Sequence, residues 1–214
     1  MFKHTTLPKV QIERIDTDQG RFYQIESGER FRSVTSILSD YSKSAIDKWR
    51  QSVGDYNADR ISTQARIRGS AVHNLCEKYL LNCPDYKHRA MPFNLAEFNK
   101  LKLLLDNNVQ QIYGIEHMMY SRQYKCAGTS DLICNWNGNV SIVDFKTSRY
   151  PKDQSKIQHY FIQASVYSLM VKELYHIDCN DIVILMTVDH DQPLVFHKNA
   201  RDYYSQVQSI FNSG

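Results

Sequence analysis

Each thing missing from this 214-residue sequence removes a class of protein. The five cysteines, Cys76, Cys83, Cys126, Cys134 and Cys179, are odd in number and contain no CxxC pair. That argues against a disulfide framework and against a structural zinc site. Reduced thiols in a reducing compartment are expected. No apolar run approaches the ~18–20 residues needed to cross a bilayer. The opening stretch, MFKHTTLPKV, has neither an apolar signal core nor an Arg/Ser-rich amphipathic pattern. A cytoplasmic protein without a membrane partner is therefore expected. Internal repeats and low-complexity segments are also missing. Nor is there a strong charge of one sign: 26 Lys and Arg against 23 Asp and Glu leave +3. Such a balance permits a polyanionic partner without demanding one.

The composition is that of a globular protein, 42% hydrophobic and 23% charged. The length suits a single domain over 1–214 with a real core. Tyrosine is frequent, at 14 residues. Its rings suit stacking on bases or sugars, and equally suit a half-wet core. Basic residues cluster locally, as Arg60, Arg66, Arg68 and Lys78, and again as Lys146, Arg149, Lys152 and Lys156. Either cluster fits phosphate contacts or an ordinary solvated face.

Hydrophobic spacing divides the chain in two. Residues 1–112 read as a small hairpin around Gly20 followed by helices. Ser33 is placed to cap a helix carrying Val34, Ile37, Leu38 and Tyr41. Further helices are expected over 43–53, 55–67, 69–81 and 95–112. Residues 113–214 read as a core of sheet and helices. Strands are expected over 112–124, 126–136 and 139–146, a long helix over 154–175, strands over 181–189 and 194–197, and a last helix over 200–212. The order implies an α/β fold with a mixed sheet, an antiparallel meander and flanking helices.

Asn137-Gly138 is a strong signal for a two-residue hairpin turn. Such a turn pairs Trp136 with Asn139, and counting outward places Asp131 opposite Asp144. Cross-strand partners share a face, with Cβ atoms about 4.5–5.5 Å apart. Lys146, two residues beyond Asp144, shares that face. A β-bulge would break the register. Two carboxylates at such range repel in an apolar setting, and a divalent cation with hard oxygen ligands is one neutraliser. The alternative is a buried Asp–Lys salt bridge, and an isolated D-x-K triplet fits that equally.

Gly128-x-x-Asp131 followed by Ile142-Val143-Asp144-Phe145-Lys146-Thr147-Ser148 resembles the PD-(D/E)XK nuclease superfamily, in its RecB-like exonuclease branch. His73 in GSAVHNLCE, and Gln163 and Tyr167 in FIQASVY, match the family's upstream His and downstream Gln/Tyr helix. Ser33-Val34-Thr35, Lys48-Trp49-Arg50 and Glu116 make the similarity greatest to the mitochondrial genome maintenance exonuclease type. The Gln-to-Tyr spacing is one residue longer than in many RecB-like proteins. The missing transit pattern points to a bacterial or phage setting. The resemblance implies a restriction-endonuclease-like core with an N-terminal helical elaboration. It implies Mg²⁺ or Mn²⁺ held by His73, Asp131, Asp144 and the Phe145 carbonyl. Lys146 would orient the attacking water, and Gln163 would position Lys146 or a phosphate. Tyr167 would pack on Gln163, and Thr147 and Ser148 would touch the DNA backbone; Arg66, Arg68 and Arg149 of the basic clusters, with Tyr167, are the further DNA-contact candidates.

The implied activity is exonucleolytic hydrolysis of single-stranded DNA or DNA ends, in replication, recombination or repair. An endonuclease or flap nuclease of the same fold, or an idle DNA-binding module, are the alternatives. An iron–sulfur member is disfavoured because only Cys179 follows the hairpin. Each site residue also has a plain structural reading. His73 could be an interfacial histidine, Gln163 a strand cap, Glu116 a salt-bridge partner, and Glu77 a surface residue or a partner of His73. His190 and His197 resemble ligands by residue type alone.

Overall fold

Local chemistry sets many of the element boundaries. A computed structural model describes residues 1–18 and 20–212. Ser33 caps helix α1 (Val34–Tyr41), its hydroxyl accepting the Ser36 N–H at 3.0 Å. Helix α2 (Lys43–Val53) stops at Gly54, which takes a φ of 80°. Helix α3 (Asp55–Leu80) is continuous over 26 residues, where two helices broken near residue 68 were expected. A glycine inside a helix costs only about 1 kcal/mol. Burial of Val72, Leu75, Cys76 and Leu80 over the turns that follow offsets that cost. Helix α4 (Pro92–Asn108) begins with proline in its first turn and ends before Val109. Residues 109–112, expected as helix, instead open strand β5 (Val109–Ser121).

The N-terminal region contributes more than one hairpin. It forms β1 (Lys3–His4), β2 (Ile12–Thr17), β3 (Gly20–Ile25) and β4 (Arg30–Ser33). These join β5, β6 (Cys126–Trp136), β7 (Asn139–Ser148), β8 (Asp181–Val188) and β9 (Leu194–Asn199) in one mixed nine-stranded sheet. Strands β5, β6 and β7 form the antiparallel meander; β8 runs parallel to β7, and β4 parallel to β6. The β6–β7 turn is of the expected kind, with φ of 51° at Asn137 and 95° at Gly138.

Strand alternation sorts side chains into two cores. Ile133, Ile142 and Ile184 pack beneath α5 (Gln158–Tyr175) and α6 (Tyr204–Phe211), against Phe161, Val166, Met170 and Phe211. Leu132, Val143, Val183 and Leu185 face α3 and α4, against Val72, Cys76, Phe98 and Leu105. The sheet is thus sandwiched between helices. Among the described residues no helix is long and apolar enough to cross a membrane.

Candidate active site at a fork in the sheet

The expected β6–β7 register holds from Trp136↔Asn139 to Leu132↔Val143, and there the ladder ends. Asp131 and Asp144, next in the count, are not laddered. Strand β7 continues beside β8 to Ser148, while β6 acquires β4 at Cys126 and Ala127. Between Ala127 and Leu132 the sheet is forked. The fork frees two backbone groups of Phe145, and side chains take both. The Asp131 carboxylate accepts the Phe145 N–H at 2.8 Å, and His73 Nε2 lies 2.7 Å from the Phe145 carbonyl. Backbone polar groups left bare at this depth would cost about 1–3 kcal/mol each. Helix α3 reaches the fork from one layer with His73; α5 reaches it from the other with Gln163.

His73, Glu116 and Asp131 form one corner, their donor atoms within 4.8 Å of one another. His73 Nδ1 is 3.5 Å from Asp131 Oδ2. Glu116 lies opposite Asp131 in β5, between the pairs Ile115↔Leu132 and His117↔Ser130. Its φ of 44° is left-handed, a strain of about 1–3 kcal/mol for a residue with a side chain. Burial opposes a proton on His73, but the Asp131 charge outweighs it and pushes the imidazole up to about 9. Asp131 feels the converse: desolvation raises it, and His73 and Lys146 bring it below the usual range. Glu116 keeps its outer atoms exposed, yet crowding by protein and then the Asp131 charge push it up to about 7.

Asp144, Lys146 and Gln163 form the second corner. Asp144 is 2% exposed. Its Oδ1 accepts Lys146 Nζ at 2.7 Å and Gln163 Nε2 at 3.3 Å. Its Oδ2 lies 2.6 Å from the same ammonium but is buried without an aligned donor of its own. Desolvation pushes Asp144 up to about 6 against the pull of Lys146. Burial disfavours the Lys146 charge, but Asp144 and Asp131 more than compensate and raise its pKa. The ammonium also sits 4.8 Å from the centre of the Tyr160 ring, a contact not anticipated from sequence.

The floor explains the glycine of Gly128-x-x-Asp131. A Cβ at Gly128 would lie 2.8 Å from the Tyr167 ring, so β6 and α5 approach this closely only without one. Tyr167, expected to meet DNA, is 2% exposed and committed to this packing.

Other expected DNA contacts are differently engaged. Arg68 makes two bonds to Asp189, at 2.9 and 2.7 Å, stapling α3 to the end of β8. The Ser148 hydroxyl is buried and donates to the Tyr150 carbonyl. The sequence signalled neither of these internal partners. Thr147 is half-buried, and Arg66 and Arg149 are exposed. The cleft over both corners, about 520 Å³, is also lined by Arg14, Arg21, Tyr23 and Glu77. The first three come from the N-terminal hairpin and were not singled out from sequence, although strand alternation puts them on one face.

Residues 21–188 match the PD-(D/E)XK nuclease superfamily. The chain belongs to that superfamily. The nine-stranded mixed sheet between helices is the corresponding fold, and superfamily members are nucleases that use divalent metals. The chain is also similar to two crystal structures. One is a candidate exonuclease of Eubacterium rectale, 12% identical, covering 68% of this chain and 68% of that one, with a TM-score of 0.42. The other is SSO0001, 16% identical, covering 64% of this chain and 75% of that one, with a TM-score of 0.31. No curated protein matches.

The donor set fits a divalent cation. Carboxylate oxygens and one imidazole suit Mg²⁺ or Mn²⁺. His73 Nε2 and the Phe145 carbonyl stand at 2.7 Å, and the orphaned Asp144 Oδ2 is a further candidate donor.

Proposed function

We propose that this protein is a Mg²⁺- or Mn²⁺-dependent deoxyribonuclease of the RecB-like branch, one domain over 1–214, acting as an exonuclease on single-stranded DNA or DNA ends. The supporting observation is the juxtaposition of the His73–Glu116–Asp131 corner with a buried ammonium, Lys146, in one open cleft. His73, Asp131, Asp144 and the Phe145 carbonyl are the proposed ligands. Glu116 joins them by its place opposite Asp131. A bound cation supplies charge to offset the phosphate oxygens and the developing negative charge. Lys146 orients a water for in-line attack on phosphorus and steadies the transition state. The P–O3′ bond breaks, leaving a 5′-phosphate and a 3′-hydroxyl. Gln163 and Tyr160 hold Asp144 and Lys146 in place for this step. Arg66, Thr147 and Arg149 are proposed to touch the DNA backbone.

A second groove supports a single-stranded substrate. It measures about 660 Å³, is lined by Leu38, Ala45, Ile46 and Trp49 with Lys156 and His159, and meets the cleft at Thr35 and Gln163. An exposed indole beside the Lys156 ammonium suits unstacked bases on a charged backbone. The five free thiols suit a reducing, cytoplasmic setting, and replication, recombination or repair is the proposed context.

The deciding experiment incubates 5′- and 3′-labelled single and double strands with Mg²⁺ or Mn²⁺. Mononucleotide or short-oligomer release from ends, abolished by EDTA and by Lys146→Ala, is the expected result. Cleavage of closed circular DNA would favour an endonuclease instead. DNA binding without turnover in any metal would leave only an idle module.

A further inference from the structure

Beyond the metal corner, the N-terminal hairpin places a second polar feature over the cleft. Its ladder pairs Ile12 with Ile25, Arg14 with Tyr23, and Asp16 with Arg21. Those six residues share one face. The inner end of that face is buried: Tyr23 and Ile25 pack with Phe31 and Ala127, and the Tyr23 hydroxyl meets Thr129 Oγ1 at 3.3 Å. The outer end is ionic. Arg14 reaches Asp16 Oδ2 through Nε at 3.0 Å and Nη2 at 2.7 Å. Arg21 reaches Asp16 Oδ1 through Nε at 3.2 Å. One carboxylate thus splints two guanidinium groups and leaves their other N–H donors available.

We infer that Arg14 and Arg21 form a clamp for a phosphate of the nucleic-acid strand, adjacent to the one being cut. This rests on the nuclease reading above and names a contact within it. Exposed ion pairs of this kind add little to stability. Position is what distinguishes this one. Both arginines line the same cleft as His73, Glu116, Asp131 and Lys146. Their side chains remain 46% and 38% exposed, open to a ligand. Three carboxylates gather on the metal side, so a strand entering there needs cationic partners elsewhere along its backbone. Asp16 takes one charge from the pair and leaves a net positive wall. Planar guanidinium forks match phosphate geometry. Tyr23 and β4 tie the hairpin to β6, so the clamp holds a fixed distance from Asp131.

The test uses the full chain carrying Lys146→Ala, to prevent cutting, and a fluorescent single-stranded oligodeoxynucleotide read by anisotropy across a salt series. Adding Arg14→Ala and Arg21→Ala is expected to weaken binding roughly tenfold at low salt. The slope of log affinity against log salt should fall by roughly 0.7, one phosphate's worth on a single strand. Arg14→Lys with Arg21→Lys should restore the slope but only part of the affinity. Arg30→Ala, in β4 on the opposite face of the sheet where Arg30 bonds Gln24, should change neither. Thermal melting checks folding; if the double variant melts too low, each single variant is read for half the slope change. Unchanged affinity and slope, while the native sequence still cleaves DNA, overturns the clamp and spares the nuclease reading. Failure of the native sequence to bind or cleave any DNA overturns both.

Discussion

Asp131 and Asp144 come from neighbouring strands and both are largely withdrawn from water, yet the corners they anchor are balanced differently. Asp144 has an ammonium at 2.6 Å and an amide at 3.3 Å, so its charge is answered within the protein. Asp131 shares its corner with a second carboxylate, Glu116, and with a histidine that must gain a proton to help. One corner is nearly self-sufficient; the other has room for an external cation. The difference follows from what a fork in a sheet does. It releases backbone groups that draw His73 and Asp131 inward, while β5, on the other edge of β6, sets Glu116 opposite Asp131.

Removing the internal cation breaks the comparison most severely. Lys146→Ala should lower turnover by at least roughly 10²–10³-fold, as for loss of a transition-state stabiliser. It should also destabilise the metal-free protein by about 3–5 kcal/mol, because Asp144 is left buried without its partner. Label release and urea unfolding measure the two effects; near-native turnover would dismiss the assigned role. Arg68→Ala, whose ion pair is with neither corner, should lose stability by a similar mechanism at Asp189. Its salt dependence of DNA binding should stay native. A reduced salt slope with native stability would return Arg68 to the DNA surface.

Supplying the external cation sharpens the contrast. At a hundred times its dissociation constant, Mn²⁺ or Mg²⁺ should stabilise the fold by about 2.7 kcal/mol, reversed by EDTA. Glu116→Gln should shrink that gain. The pH dependence follows from the same groups. Folded Glu116 at about 7 and folded His73 at about 9 both bind protons more tightly than the ordinary 4.5 and 6.5. Stability of the metal-free protein should therefore be greatest at the acid side of that window and fall as pH rises from about 4.5 to 9. Since ligands bind the cation deprotonated, its stabilisation should grow over the same range. Calorimetry at several pH values, with and without metal, reads both trends; parallel curves would count against a cation at this corner. The smallest expected effect is at the floor. Gly128→Ala should cost about 1–3 kcal/mol by forcing Tyr167 away, and thermal melting would register it.

Patterns of short period were readable in the sequence because they are local. The Asn137-Gly138 turn set the β6–β7 register for five pairs, and Ser33 announced its helix. Helical spacing in GSAVHNLCE put His73 at the margin of a buried stripe, where it can look into the site. What could not be read were matters settled between distant segments. Glu116 enters the site through one residue's left-handed backbone, which no propensity signals. The partner of Arg68 lies 121 residues away, and a basic cluster in sequence looks the same whether its arginines meet phosphate or aspartate.

By itself the sequence determined the superfamily's motif residues and most of their strands and helices, since turn chemistry and side-chain alternation act over a few residues. Tertiary structure alone decided where the β6–β7 ladder stops, and hence that Asp131 leans toward His73 and Glu116 while Asp144 is held by Lys146. The reason is that strand divergence depends on β4 taking the β6 edge that β7 leaves and on β8 carrying β7 onward, and those contacts join segments far apart along the chain.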